Sequence, residues 1–326
     1  MAHRDFDEQM AVLDALKGRE PDAASVQLVK KTLGNKSNLL VAKAAGLAEE
    51  GGLAVLLPEL LAAFDRFFNN AEKSDPQCWA KNALSHALGS LRCREKEVFL
   101  RGLHHRQMEP VWGGKSDSAG TLRANCAHAL VTFEELSNQE LLLILLDPLL
   151  DPDKSVRVEA VRAMGQIGPP AVPVLRLRAL VGGGEPEVLA ACFGVLLEIE
   201  RTAGIPFVAG FLEAGDDAAA EAAFALAETR LPEAAAVLLK RQSAGADEWF
   251  GKVLLSAIAL TRQPEATKFL IDLIARDAEE APVALQAIGH TAPSEEMRRR
   301  VEEAVEKANS ARLRALLQGP DWALSQ

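Results

Sequence analysis

The sequence predicts an all-α chain, an α-solenoid of about eight stacked helical pairs with a helical cap at each end. Three observations support this prediction. One helix–turn–helix pattern recurs along most of the 326 residues. The composition, 48% hydrophobic and 25% charged, is typical of a soluble globular protein. Short apolar runs fall where the recurring pattern expects helices, so no strand is predicted.

The clearest copy of the pattern spans 151–175 and reads DPDKSVRVEAVRAMGQIGPPAVPVL. Asp151 is placed to cap a helix, and Pro152 suits the first helical position. Apolar residues then recur on one helical face. Gly168 and the two prolines after it break the helix, so a second helix is expected to follow.

A pair of residues near the end of the first helix marks each copy of the pattern. The steps between successive pairs are 43, 42, 34, 32, 30, 33 and 29 residues. A unit of this size cannot bury its apolar face alone, so each unit must stack on its neighbours. The marking pairs are Ala45–Gly46, Leu88–Gly89, Leu130–Val131, Met164–Gly165, Leu196–Leu197, Leu226–Ala227, Ala259–Leu260 and Ile288–Gly289.

Local signals place the boundaries of the array. Ser137 and Glu140 have the spacing of a capping box, which predicts a helix start. The three glycines at 182–184 are expected to form a turn or a hinge between two helices. We expect one solenoid domain over 1–326, with an N-terminal helical cap at 1–34, the repeated helical pairs at 35–305 and a C-terminal cap at 306–326.

The Asp-Pro, Val-Arg and Ala-Met-Gly elements of 151–165 resemble those of HEAT repeats. The short steps are similar to those of the HEAT-like subgroup named after phycobilisome lyases. The resemblance implies an armadillo-type α-solenoid. It also implies a buried ladder of Asp and Arg side chains between adjacent units. In this sequence the ladder would use Asp151 or Asp153 with Arg157.

Charge and hydropathy narrow the classes of function. A net charge of −10 should make the chain repel nucleic acid and anionic membranes. The first residues, MAHRDFDEQM, lack the apolar stretch of a secretory signal. No apolar run is longer than six residues, the length of Leu141–Leu146, and such a run is too short to span a bilayer. The four scattered cysteines are typical of reduced thiols. A cytoplasmic protein without membrane association is therefore expected.

The segment 78–128 departs from the acidic balance of the chain. It holds three of the four cysteines, four of the six histidines, and eight basic residues against four acidic ones. Such a segment would attract anions or an acidic partner. A solvated basic face over buried Cys and His is the alternative interpretation. The Cys and His residues lack the spacing of a zinc site, so neither a metal nor a cofactor is expected.

The longest irregular stretch, 107–120, lies inside this segment. Connections of this length tend to be functional or disordered, and this one carries Trp112. Its Gly-Lys-Ser triplet lacks the upstream Gly of a phosphate-binding loop. We therefore place the candidate partner- or anion-binding surface in this segment. The candidate residues are Arg94, Arg101, His105, Arg106, Trp112, Lys115 and Arg123.

Two functions remain open from the sequence. The first is a non-catalytic scaffold that binds a protein or peptide partner through the solenoid surface. The second is an enzyme, or an anion- or nucleic-acid-binding protein, lyase-like or DNA-glycosylase-like and centred on 78–128. A deep pocket with converging Arg, His and Trp would favour the second, and an open groove the first. The sequence sets neither the partner nor the oligomeric state.

Overall fold

The computed structural model describes residues 2–181, 185–319 and 322. The chain divides into two compact units, Met1–Pro170 and Ala171–Gln326. The glycines at 182–184, predicted to form a turn or hinge, lie outside the described residues. Helical pairs build both units, which confirms the predicted all-α class of helical repeats. In the described ranges, no helix combines the length and apolarity needed to cross a bilayer.

In the first unit, the first helices of successive pairs pack on one another as α3 on α6, α6 on α8 and α8 on α10. The helices are α1 (Ala2–Asp14), α2 (Ala23–Leu33), α3 (Asn38–Glu50), α4 (Leu57–Arg66), α5 (Ala71–Ser74), α6 (Trp79–Ser90), α7 (Lys96–Leu103), α8 (Gly120–Leu130), α9 (Asn138–Leu149) and α10 (Lys154–Ile167).

In the second unit, α12, α14, α16 and α18 pack in sequence in the same way. The helices are α11 (Val172–Val181), α12 (Pro186–Glu200), α13 (Ile205–Ala209), α14 (Asp217–Glu228), α15 (Pro232–Ser243), α16 (Glu248–Thr261), α17 (Pro264–Ala275), α18 (Ala281–His290), α19 (Glu295–Ala308) and α20 (Ala311–Leu317). The helix α20 lies where the sequence placed a closing cap.

Helix capping follows the sequence at one predicted site and differs at another. The capping box forms, because Ser137 Oγ accepts from the Glu140 N–H at 3.3 Å and Glu140 Oε2 accepts from the Ser137 N–H at 2.8 Å. The prediction that Asp151 caps α10 is wrong. The cap is Asp153, whose carboxylate accepts from the Ser155 N–H at 2.9 Å. Asp151 is unavailable because two arginines bind its carboxylate.

The stretch 107–120 contains a β-hairpin, which the sequence analysis did not predict. Strand β1 (Met108–Val111) pairs antiparallel with β2 (Gly114–Asp117), with Val111 opposite Gly114. The two-residue turn between them is Trp112–Gly113. Gly113 has a φ of +90°, which glycine adopts without steric cost. The strands are too short for their alternation to be recognised in the sequence, and contacts at their base hold them in place.

Candidate functional site

Arg123 occupies the centre of the hairpin base. It lies in the first turn of α8 with only 1% of its side chain exposed. Its Nε donates to Asp151 Oδ2 at 2.8 Å and its Nη2 to Asp151 Oδ1 at 3.0 Å, a bidentate pair. Its Nη1 donates to Asp117 Oδ2 at 2.7 Å and to the His105 carbonyl at 3.0 Å. One guanidinium therefore joins the end of β2, the chain after α7 and the start of the next helical pair.

Arg106 completes this cluster from the partly exposed side. Its guanidinium lies 3.3 Å from Asp117 Oδ2 and 3.0 Å from Asp151 Oδ2. Two arginines thus face two aspartates, so the cluster has no net charge. We call these four residues, Arg106, Asp117, Arg123 and Asp151, the base network.

Both aspartates of the base network ionise more readily than an ordinary carboxyl. Burial alone would raise the pKa of Asp117, but N–H donors and Arg123 outweigh it and lower that pKa. Burial likewise opposes ionisation of Asp151, and hydrogen bonds from Arg123, the main chain and Arg106 lower its pKa overall. The donors around both carboxylates therefore stabilise their ionised forms, and this stabilisation would be lost on unfolding.

Glu109 of β1 fixes the other side of the hairpin base. Its Oε1 accepts from the Gln77 N–H at 2.6 Å, from Gln107 Nε2 at 2.5 Å and from Ser118 Oγ at 2.8 Å. Burial opposes ionisation of Glu109, but these donors outweigh it and its pKa is lowered. Gln77 and Cys78 are both left-handed, with φ of 59° and 55°. Left-handed conformations at such residues cost free energy and persist only where neighbours hold them. Glu109 provides that restraint on the turn before α6.

A second buried ion pair lies beside this turn. Lys81 Nζ is 3.0 Å from Asp75 Oδ2, and both side chains are fully buried. The Lys81 ammonium also donates to the Phe67 carbonyl at 3.3 Å. Gln107 Nε2 donates to the Asp75 carbonyl at 2.8 Å. The hairpin base is therefore held between two buried ion pairs from consecutive helical pairs.

Two buried cations and a half-buried one occupy the same position of the repeat, which our sequence reasoning missed. Lys81, Arg123 and Arg157 are separated by 42 and 34 residues, the same steps as the marking pairs, and each follows an aspartate by six residues. The ladder that the resemblance implied needs a correction. Arg157 Nη1 donates to the main-chain carbonyl of Asp151, whereas Arg123 of the preceding pair binds its carboxylate. The rung between adjacent units thus uses Arg123.

Three of the predicted site residues lie around α7. Arg101 stacks over the Phe68 ring at 3.8 Å and donates to Asp65 at 2.8 Å. His105 packs edge-on against the same ring at 4.8 Å, and burial lowers its pKa. Arg94 is exposed, and its Nη1 lies 4.0 Å from the Oε1 carboxylate oxygen of Glu135.

Trp112 and Lys115 lie at the far end of the hairpin and are exposed. Trp112 has no shielding at all, with a relative exposure of 102%, and Val111 beside it is half exposed. We call residues 111–115 the hairpin tip. The seven predicted residues therefore separate into the solvent-facing tip, the base network and the surroundings of α7. Their role in binding remains a prediction.

Two features bear on possible chemistry in the described residues, the grouping of metal-ligating side chains and the state of a thiol. Within the described ranges, no three His, Cys, Asp or Glu side chains are grouped to hold a metal ion. Burial raises the pKa of the Cys78 thiol to about 11, so it is protonated at neutral pH. A groove of about 620 Å³ has Trp79 and His86 among its lining residues.

The lowered pKa values of Asp117 and Asp151 predict an acid-sensitive base network. Their stabilising contribution should be fully present above the ordinary aspartate value of 3.8 and be lost as pH falls through their lower folded values. Carbon-13 NMR of the carboxyl carbons, assigned with Asp117→Asn and Asp151→Asn variants, should show midpoints below 3.8. Midpoints at or above that value would contradict the prediction.

Comparison with known proteins gives one family match. The family model of the PBS lyase HEAT-like repeat matches residues 156–177. A comparison with curated proteins found no match. Among solved structures, the chain is similar to one in the complex of CpcE and CpcF of phycocyanin lyase from Nostoc sp. PCC7120. The identity is 22%, with 73% of this chain and 91% of that chain covered, and the TM-score is 0.36. That score is too low to support reasoning, so the fold assignment rests on the helical pairs themselves. Residues 156–177 match the HEAT-like repeat model, in agreement with the sequence resemblance.

Proposed function

We propose that this chain is a non-catalytic interaction scaffold that binds a protein partner through the hairpin tip. One observation carries the proposal. Trp112 is fully exposed at the end of a hairpin whose base is held by buried ion pairs. The repeat array would then serve as the rigid support that presents this side chain.

Exposing an indole on a fixed support is the arrangement expected of a binding residue. Trp is enriched among the residues that dominate binding energies, because it buries a large apolar area in one contact. Ordering a loop on binding costs free energy, and a hairpin held in advance avoids much of that cost. Arg123 and Glu109 provide the restraint, since each bonds to several segments of the hairpin base.

The partner's chemistry follows from the residues at the tip. Val111 and Trp112 supply the apolar part, and Lys115 supplies a positive charge that faces solvent. The complementary surface is an apolar pocket with an acidic residue at its rim. The anion-binding alternative centred on 78–128 loses two cations to internal pairs, because Arg106 and Arg123 are compensated by Asp117 and Asp151.

Trp112→Ala is expected to abolish capture of the partner while leaving the fold unchanged. The indole contacts solvent only, so its loss should remove binding area without opening a cavity. Affinity purification from a cytosolic extract of the source organism, followed by quantitative mass spectrometry, would identify proteins enriched by wild type. The most enriched protein, once purified, should bind the variant at least about tenfold more weakly, as expected for a dominant interface residue.

Trp249→Ala provides the matched control. Trp249 is a second tryptophan at the surface, about half exposed, and it lies on α16 in the second unit. The Trp249→Ala variant should capture the same partner as wild type does. Equal loss in both variants would indicate nonspecific adhesion of exposed indoles. Unchanged capture by Trp112→Ala would overturn the proposal.

A further inference from the structure

The hydrogen-bond pattern of the hairpin determines which main-chain groups point away from it. The Ser118 N–H donates to the Gln107 carbonyl at 2.9 Å, so this pair is hydrogen-bonded. Bonded and non-bonded pairs alternate along an antiparallel ladder. The register places Met108 opposite Asp117 and Pro110 opposite Lys115, and these are the non-bonded pairs. Their N–H and C=O groups therefore point outward from the two edges.

The edge of β1 is poorly suited to accept another strand. Pro110 has no N–H, and it occupies the centre of that edge. Proline on an edge strand is a common way to prevent pairing. The only outward N–H of β1 is then that of Met108, at its first residue.

The edge of β2 is open. Lys115 and Asp117 each direct one N–H and one C=O outward, with a spacing of two residues that matches an added strand. Gly114, Lys115 and Ser116 are exposed. Among the described residues, no main-chain group outside the hairpin bonds to the main chain of Lys115. The two edges of one small hairpin thus differ: one is blocked and the other is available.

We propose that the edge of β2 binds an extended segment of the partner protein as an added β-strand, with an acidic residue opposite Lys115. This inference rests on the proposed function of the hairpin tip and specifies its mode of recognition. Main-chain bonds to Lys115 and Asp117 would give the segment its register, and an apolar contact with Trp112 would add affinity. A strand of four residues offers few main-chain hydrogen bonds, so the apolar contact with Trp112 has to supply part of the affinity.

Charge identifies the occupant as another protein and not a second copy of this chain. Two copies of β2 related by a twofold axis can place Lys115 opposite Lys115, which is repulsive. The alternative register places Lys115 opposite the partner copy's Asp117 position. That carboxylate already accepts from Arg123 and from the N–H groups of Gln107 and Ala119. A free acidic side chain on a different protein satisfies Lys115 without disturbing the base network.

The test uses a phage-displayed library of random twelve-residue peptides selected on the full-length chain. We expect selected peptides to alternate β-branched and polar residues and to carry an acid. A synthetic copy of the best peptide should bind Lys115→Pro about tenfold more weakly than wild type, because both an outward N–H and the ammonium that faces the acid are lost. The ladder inside the hairpin keeps its bonds, since this N–H points outward. Thermal unfolding of Lys115→Pro should therefore match wild type.

Met108→Pro is the matched control, because it removes an outward N–H from the opposite edge. It should bind the same synthetic peptide as tightly as wild type. Amide hydrogen exchange gives a second readout that needs no substitution. Adding the peptide should slow exchange of the Lys115 and Asp117 amides and leave that of Met108 unchanged.

Three results would overturn strand addition: no peptide is selected, the peptide binds Lys115→Pro as tightly as wild type, or exchange at Lys115 stays the same. A dimer that sedimentation detects in wild type but not in Lys115→Pro would show that a second copy occupies the edge, which also contradicts the proposal. If Trp112→Ala loses the natural partner while Lys115→Pro keeps it, strand addition fails and the proposed function stands. If both variants keep it, both proposals fail.

Discussion

Replacing Arg123 with Met is expected to lower the free energy of unfolding by about 3 to 5 kcal/mol, the usual cost of removing one partner from a buried ion pair. Arg123 neutralises Asp151, which is 2% exposed, and shares Asp117 with Arg106. Met fills a similar volume but leaves Asp151 with only the partly exposed Arg106 as its cation. Urea unfolding followed by circular dichroism at neutral pH would measure the loss.

Two companion variants separate charge burial from other effects. Arg94→Met removes an exposed guanidinium whose nearest acid is 4.0 Å away, so it should change stability by only about 0 to 1 kcal/mol. Arg123→Lys keeps the charge but loses the bidentate geometry, so it should fall between wild type and Arg123→Met. A loss for Arg123→Met no larger than that for Arg94→Met would show that the base network does not stabilise the fold.

The helical-repeat architecture could be predicted because its evidence recurs. Each marking pair lies in, or at the end of, the first helix of a pair, from Ala45–Gly46 in α3 to Ile288–Gly289 in α18. A single amphipathic segment is ambiguous, but eight segments at similar spacing constrain one another. The residue at which each helix begins is harder to predict from the sequence. Asp151 and Asp153 are both reasonable caps by sequence, and the choice depends on Arg123, which is distant in the chain.

The hairpin could not be predicted, although its position was identified. Two strands of four residues carry too little alternation to distinguish them from a loop. What fixes them is a set of contacts to other segments, including Glu109 to Gln77 and Asp117 to Arg123. The irregular length of 107–120 and its Trp were sufficient to mark a segment outside the repeat. They were insufficient to show that the segment is ordered.

The sequence could predict the candidate site only in part, for a related reason. Counting charges treats every arginine as a surface group, and so Arg106 and Arg123 were placed with Lys115 and Trp112. Alignment of the repeat would have distinguished Arg123, since it shares a position with Lys81 and Arg157, and each follows an Asp by six residues. A cation that recurs at one repeat position next to a recurring acid indicates an internal pair. Trp112 and Lys115 have no such counterparts.

Lys81→Met is the second substitution expected to have a large effect, with a loss of about 3 kcal/mol, at the lower end of the range for a broken buried pair. Asp75 would keep the N–H donors of Ala80 and Lys81 at 2.8 and 3.0 Å, which limits the loss. Urea unfolding would measure this loss in the free energy of unfolding, as for Arg123→Met. Combining Lys81→Met with Asp75→Asn removes the uncompensated charge, so the double variant should recover part of the loss. The recovery stays incomplete because one of the two N–H donors then faces the Asn amide nitrogen. If the two single losses simply add, the pair is not coupled. The instability of Lys81→Met would then come from packing around Phe68, whose ring lies 5.8 Å from the ammonium.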